Sequence, residues 1–174
     1  MSIIQFQSVS LSLGHDLLFN QIDLMIEKND HLGLLGRNGE GKSTLLKVLG
    51  KQIDIDSGKI TFQRGINIQT LPQAVPHSLS GPVINIVADG FGKIGKQLIE
   101  YYRLIKDENI SASDLDKMAD LQQAIDENDG WNLYSQMENV ISKLQLLGDA
   151  NIESLSGGMK RRVLLAQALL TKPD

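Results

Sequence analysis

The strongest constraint on the fold is a glycine-rich segment, residues 36–44, which has the pattern G-x-x-x-x-G-K-[ST]. The apolar run 31–35 before it predicts a buried parallel strand. The apolar residues in 45–49 after it recur at helical spacing, and Gly50 ends the run. A strand, a glycine-rich loop and a helix in this order direct backbone N–H groups at a polyphosphate. The sequence therefore predicts a P-loop.

The residue types of this loop suit a nucleoside triphosphate and its metal. The glycines permit positive φ and close approach of the main chain to the phosphates. Lys42 supplies a point charge to the β- and γ-phosphates, the Ser43 hydroxyl is placed for Mg²⁺, and Thr44 is expected near the α-phosphate. A glycine-rich turn before a capped helix would need none of these three residues. The predicted nucleotide-binding residues of the loop are Gly36, Arg37, Asn38, Gly39, Glu40, Gly41, Lys42, Ser43 and Thr44.

A second glycine-bearing segment, Leu155-Ser156-Gly157-Gly158-Met159, precedes an apolar helical pattern. By itself it predicts only a helix with Ser156 as its N-cap. Downstream of a P-loop, it resembles the signature motif of ATP-binding-cassette (ABC) proteins. The resemblance implies that Ser156, Gly157 and Gly158 bind the γ-phosphate of an ATP held by a second cassette. The glutamine usual in the family is Met159 here, which removes a side-chain amide and keeps the backbone donors.

The resemblance assigns two further residues between and before these motifs. Gln73 follows the alternating strand pattern 66–70, and in ABC ATPases a glutamine there forms the Q-loop, which touches Mg²⁺ and the attacking water. Gln73 is thus the predicted catalytic residue and, with Ser43, a predicted magnesium ligand. The family usually stacks an aromatic ring on adenine ahead of the second strand. That position is Leu13 here, which predicts apolar contact with adenine in place of stacking.

Composition limits the function classes. The formal net charge of −4 argues against broad electrostatic binding to nucleic acid, although local basic patches could bind RNA. No cysteine is present, which excludes a disulfide framework and a thiolate metal site. No apolar run approaches the length of a membrane span, and the first residues lack the pattern of a signal peptide. The expected location is the cytoplasm.

The patterns predict an α/β fold of the P-loop NTPase type with a mixed sheet, an antiparallel β portion and a helical subdomain. The predicted domains are a P-loop core at 1–80, a helical subdomain at 81–154, and the signature motif with its helix at 155–174. Period-2 and helical patterns place the elements. The predicted strands are 3–9, 22–26, 59–63 and 66–70, the last two as a hairpin, and the predicted helices are 83–89, 93–105, 113–127 and 132–146.

The helical segment between Gln73 and Ser156 is longer than in the usual transporter ATPase by about a short helical hairpin. It resembles the arm of ABC-F proteins, which are soluble tandem-cassette ATPases that act at the ribosome. Gly-Arg-Asn-Gly in the P-loop and Trp131 before a helix bring the chain close to the first cassette of the Uup branch. The resemblance covers essentially the whole chain.

In this family the Walker B aspartate and the catalytic glutamate lie after a turn like Lys172-Pro173-Asp174. The resemblance therefore implies a fold truncated before Walker B, and a fragment that does not turn over ATP alone.

The sequence leaves three functions open. The first is an ATP-binding and ATP-hydrolysing cassette of a soluble ABC-F protein, with ATP and Mg²⁺ as cofactors, a second cassette as partner, and a ribosome or RNA as target. The second is the ATPase subunit of a membrane ABC transporter. The third is a repair ATPase that binds branched DNA, for which the basic residues 160–162 offer a contact.

Overall fold

The computed structural model describes residues 2–14, 16–76, 78–107 and 109–174. This part of the chain separates into two compact units. The first holds the residues up to Thr70 together with Pro173 and Asp174, and the second holds Leu71–Lys172. Packing therefore divides the chain ten residues before the expected boundary at 80, and it groups the signature helix with the other helices. The three-part domain division stays a prediction.

The first unit is built on a three-stranded antiparallel sheet in the order β2-β1-β3. Its strands are β1 (Ser2–Leu13), β2 (Asp16–Glu27) and β3 (Ser57–Phe62). The predicted strands 3–9 and 22–26 are confirmed, and both are longer than expected. A bulge interrupts the pattern of β1: its pairing with β2 shifts between Phe6 and Val9, where Ser8 has φ +47°. Beyond the bulge the alternation of apolar and polar residues no longer runs in one phase.

The core of the first unit lies between the sheet and one helix, α1 (Lys42–Leu49). Phe6 and Val9 of β1 are almost fully buried, and Val48 of α1 packs in the same cluster. Gly50 caps the end of α1, as predicted, and its N–H donates to the carbonyl oxygen of Leu46 at 2.9 Å. The helix that follows the P-loop is therefore held by its apolar face against β1.

Two predicted strands of this unit are wrong. Residues 31–35 form no regular element and are exposed, with Leu35 exposed to 92%. Residues 66–70 are likewise irregular, so β3 has no hairpin partner across the turn at Gly65. A central parallel strand needs hydrogen-bonding strands on both sides. Among the described residues the sheet holds only β1, β2 and β3, and none of these lies beside 31–35.

The second unit is helical. Its helices are α2 (Val83–Ala88), α3 (Lys93–Ile105), α4 (Ala112–Glu127), α5 (Trp131–Lys143) and α6 (Gly157–Leu170). The bounds of α3 are those predicted, and the others differ at their ends. A capping box between Ser111 and Asp114 starts α4, and α5 ends early because Gln145 takes a left-handed φ of +55°. None of these helices, over the residues described, has the length and apolar character to cross a bilayer.

The core of the helical unit joins α2, α5 and α6. Val87, Met137, Val163 and Ala166 are fully buried there and belong to one cluster. Glycine permits the close approach of α2 to α3: a Cβ added at Gly95 would lie 1.9 Å from the carbonyl oxygen of Ala88. Because Val163 and Ala166 belong to the buried cluster, the signature helix α6 is an integral part of the helical packing.

An ion-pair cluster links α3 to α4. The carboxylate of Glu100 accepts two hydrogen bonds from Arg103, both at 3.0 Å, and one from Lys117 on α4. The hydrogen bonds from Arg103, and next the one from Lys117, lower the pKa of Glu100 to about 2. A carboxyl group with a depressed folded-state pKa stabilises the fold above its ordinary pKa, and this contribution is lost as the pH falls towards the folded-state value.

We expect Glu100→Gln to lower the free energy of unfolding by about 1 kcal/mol at pH 7, the scale of partly exposed ion pairs. The deficit should shrink as the pH falls from about 4.5 towards 2, because the wild-type carboxylate then becomes protonated. Urea unfolding of both proteins at pH 7 and pH 3 measures this difference. Asp120→Asn, at an exposed position of α4, is the matched control and should show no such change. A constant deficit across this range would contradict the assignment.

Candidate nucleotide-binding site

The loop 36–44 has the backbone that the glycine pattern predicts. Gly39 and Gly41 have φ values of +91° and +81°, and Gly41 is the N-cap residue of α1. The loop is also closely packed from beneath, because a Cβ at Gly41 would lie 3.2 Å from the ring of Phe19 on β2. Both the left-handed conformation and this packing favour glycine. The sheet therefore fixes the loop where it enters α1.

The ammonium group of Lys42 lies against the start of the loop. Its Nζ donates hydrogen bonds to the carbonyl oxygens of Gly36 at 2.8 Å and Arg37 at 2.5 Å. Lys42 is the first residue of α1, so the helix carries the charge at its N-terminal end, where it meets the loop. The structure thus brings a cation and the loop backbone together within one turn of chain.

An anionic oxygen already lies on a backbone amide of the loop. The Oε2 atom of Glu40 accepts a hydrogen bond from the N–H of Arg37 at 2.6 Å. This contact shows that the amide of Arg37 points to a position that a carboxylate oxygen can reach, and a phosphate oxygen makes the same kind of hydrogen bond. The amides, the lysine and the helix N-terminus therefore fit a polyphosphate chemically.

The hydroxyl residues follow at the first turn of α1. Ser43 is exposed and Thr44 is half-buried. An exposed hydroxyl directly after the lysine is accessible to a hydrated Mg²⁺, which prefers oxygen ligands and keeps several waters. This exposure is compatible with the predicted role of Ser43 as a magnesium ligand, and that role stays a prediction.

The signature residues form the start of α6. Ser156 is the N-cap, and its Oγ accepts a hydrogen bond from the N–H of Met159 at 3.3 Å, as the sequence predicts. A Cβ added at Gly157 or Gly158 would meet no atom within 4 Å. The surface over the first turn of α6 is therefore open, and an anion can approach its free N–H groups.

The remaining predicted site residues lie outside the loop in sequence. Leu13 is the last residue of β1, pairs with Asp16 and is exposed to 49%. Gln73 is an exposed residue of the helical unit, as are Ser156, Gly157 and Gly158. The structure brings together residues 36–44 within the first unit. The roles of Gln73, Leu13 and the signature residues stay predictions.

Sequence reasoning missed two residues that shape the loop. Phe19 is buried, and its ring lies beneath Gly41, while Leu18 also lies within van der Waals distance of a Cβ at that position. Both belong to β2, which the sequence placed only from residue 22. Leu18 and Phe19 are adjacent, so they do not show the alternation of apolar and polar residues that predicts a strand. A strand predicted to start at Asp16 would have included both residues.

The comparison with protein families decides between the classes of NTPase. The model of the ABC transporter family matches residues 19–174. The chain belongs to this family. The match runs from β2 through the P-loop to the signature helix, so both phosphate motifs of this ABC-family chain lie inside it.

The ABC-family chain is also similar to several curated proteins. It is 34% identical to the ATP-binding protein Uup of Haemophilus influenzae over 100% of the chain and 27% of that protein. It is 32% identical to Uup of Escherichia coli K12, over 99% of the chain and 28% of that protein. It is 36% identical to the energy-dependent translational throttle protein EttA of H. influenzae, over 90% of the chain and 29% of that protein. The predicted resemblance to Uup-like ABC-F proteins is confirmed. The chain spans just over a quarter of the length of these relatives.

Solved structures confirm the α/β fold of ABC ATPases. An ATP-binding cassette of an ABC transporter superposes with a TM-score of 0.65 at 19% identity, over 99% of this chain and 66% of that one. CbiO1 of Clostridium perfringens, part of the transporter complex cbiONQ, superposes with a TM-score of 0.64 at 18% identity, over 99% of this chain and 62% of its own. At these identities the likeness concerns the fold alone.

Proposed function

We propose that this chain is an ATP-binding cassette of a cytoplasmic ABC-F ATPase, in which ATP binding and hydrolysis are coupled to an action on the ribosome. The observation that carries the proposal is the loop 36–44, with a lysine ammonium and anion-directed amides at the N-terminus of α1. Similarity to a translational throttle protein at 36% identity over 90% of the chain supports the ribosomal target.

In this proposal each part of the chain has a separate task. The amides of 36–44 and the Lys42 ammonium hold the triphosphate, and Ser43 holds Mg²⁺, which neutralises phosphate charge when it is bound. Gln73 orients water near the metal. The open N-terminus of α6, with Ser156, Gly157 and Gly158, binds the γ-phosphate of an ATP on a second cassette. ATP would thereby hold two cassettes together, and hydrolysis would release them.

The helical pair α3 and α4 is the proposed arm that transmits this closure to RNA. The two helices pack on each other and are joined by the Glu100–Lys117 ion pair. A helix pair held together by packing and an ion pair is suited to carry a movement of one cassette to a distant contact. Branched DNA is the alternative target, and co-sedimentation followed by nuclease treatment distinguishes it from the ribosome.

Co-sedimentation tests the proposal. We expect the protein, tagged in its own host, to migrate with ribosomes on a sucrose gradient when a non-hydrolysable ATP analogue is present, and to leave them when ATP is supplied. Lys42→Ala should abolish this association because it removes the phosphate-facing charge. Lys47→Ala removes the same charge from an exposed position of the same helix and should keep it.

Two outcomes would contradict the ribosomal role. One is absence from the ribosomal fractions with the analogue, although ATP still binds. The other is co-migration that survives RNase and is abolished by DNase, which would favour the DNA target instead.

A further inference from the structure

The side chain of Glu40 folds back onto the loop that carries it. Glu40 lies between Gly39 and Gly41, and its Oε2 accepts the hydrogen bond from the N–H of Arg37 at 2.6 Å. Its own N–H donates to the carbonyl oxygen of Arg37 at 3.4 Å. A Cβ added at Gly36 would meet the same Oε2 at 2.6 Å. The carboxylate therefore lies directly against residues 36 and 37.

This position conflicts with a phosphate oxygen at the same amide. A backbone N–H has one hydrogen, and it donates one good hydrogen bond at a time. A carboxylate and a phosphate oxygen at Arg37 are therefore alternatives. They also repel each other, because both are negatively charged and the Coulomb energy rises as they approach.

We propose that the Glu40 carboxylate is an internal competitor of the nucleotide, and that it lowers the affinity of the loop for polyphosphates. The inference rests on the proposed function, since it concerns the same loop. The nucleotide binds only when the carboxylate has left the amide. The apparent dissociation constant is then the intrinsic one divided by the fraction of molecules in which the loop is open.

A supporting role for Glu40 in the loop predicts the opposite change in nucleotide affinity. If the hydrogen bond between Glu40 and Arg37 served to hold the loop in its binding conformation, its removal would disorder the loop and weaken nucleotide binding. A competitor predicts that removal strengthens binding. The sign of the change in affinity therefore separates a competitor from a support.

Calorimetric titration with Mg-ATP tests the proposal on the wild type, Glu40→Ala and Glu40→Gln. We expect Glu40→Ala to bind about tenfold more tightly, the factor that corresponds to one charge-assisted hydrogen bond of modest net strength. Glu40→Gln should lie between the two, because its neutral amide oxygen still accepts from Arg37 but does not repel phosphate. Asp54→Ala and Asp54→Asn are matched controls at an exposed position outside the loop, and should bind as the wild type does.

The outcomes separate this inference from the proposed function. Equal or weaker binding by both Glu40 variants, with thermal unfolding unchanged, would overturn the inference and leave ATP binding standing. A gain of similar size in the Asp54 variants would also overturn it, because the effect would then be one of net charge. Absence of Mg-ATP binding in every protein would overturn the proposed function, and this inference with it.

Discussion

Lys42→Ala is expected to weaken Mg-ATP binding by about 10- to 100-fold, which corresponds to the loss of hydrogen bonds to a charged group worth about 1.5–3 kcal/mol. The ammonium group lies 2.8 Å from the carbonyl oxygen of Gly36 and 2.5 Å from that of Arg37, and is therefore already inside the loop. Its removal deletes the cation and leaves the amides and the helix N-terminus in place. Calorimetric titration with Mg-ATP measures the effect.

The control is the second lysine of the same helix. Lys47 lies in the last turn of α1 and is exposed, so Lys47→Ala removes the same charge from the same element. We expect it to change nucleotide affinity less than twofold, since Lys47 is exposed at the end of α1 opposite the loop, where salt screens its charge. A Lys42→Ala protein that is folded by circular dichroism and binds Mg-ATP as the wild type does would exclude the P-loop assignment.

Local patterns predicted the elements that are stabilised locally. The helix α3 has the predicted bounds because its apolar residues keep one helical period from Lys93 to Ile105. Ser156 was placed as the N-cap of α6 because a side-chain cap is decided by a few neighbouring residues. The loop 36–44 was found for the same reason, since glycine positions and a lysine determine its shape within nine residues.

The errors occur where structure depends on distant partners. The run 31–35 is as apolar as a buried strand, yet a strand exists only where other strands pair with it, and none of the described strands does so. The bulge at Ser8 is held by a hydrogen bond from its N–H to Asp23, fifteen residues away, which no local pattern contains. The contact between Glu40 and Arg37 is local, but the sequence does not distinguish a carboxylate that binds its own loop from one that is solvated.

Gly95→Ala is expected to destabilise the helical unit by at least about 3 kcal/mol, the upper range for overpacking a core. Gly95 is buried near the start of α3, and a Cβ there would lie 1.9 Å from the carbonyl oxygen of Ala88 and 3.2 Å from the Cβ of Phe91. Alanine usually favours a helix over glycine by about 1 kcal/mol, which is too little to offset a clash with backbone atoms. Main-chain atoms of α2 cannot give way as a flexible side chain can.

Thermal unfolding followed by circular dichroism at the helical band measures this effect. For a unit of this size the expected loss lowers the melting temperature by about 10–20 °C. Gly148→Ala is the matched control in the same unit, because its added Cβ would make only an ordinary contact, 3.6 Å from Ile84. If Gly95→Ala melts at the wild-type temperature, then the contact between Gly95 of α3 and the carbonyl oxygen of Ala88 of α2 is not as close as the structure shows. The loss expected for Gly95→Ala would also weaken the support of the signature helix, because α6 packs against α2 in the same core.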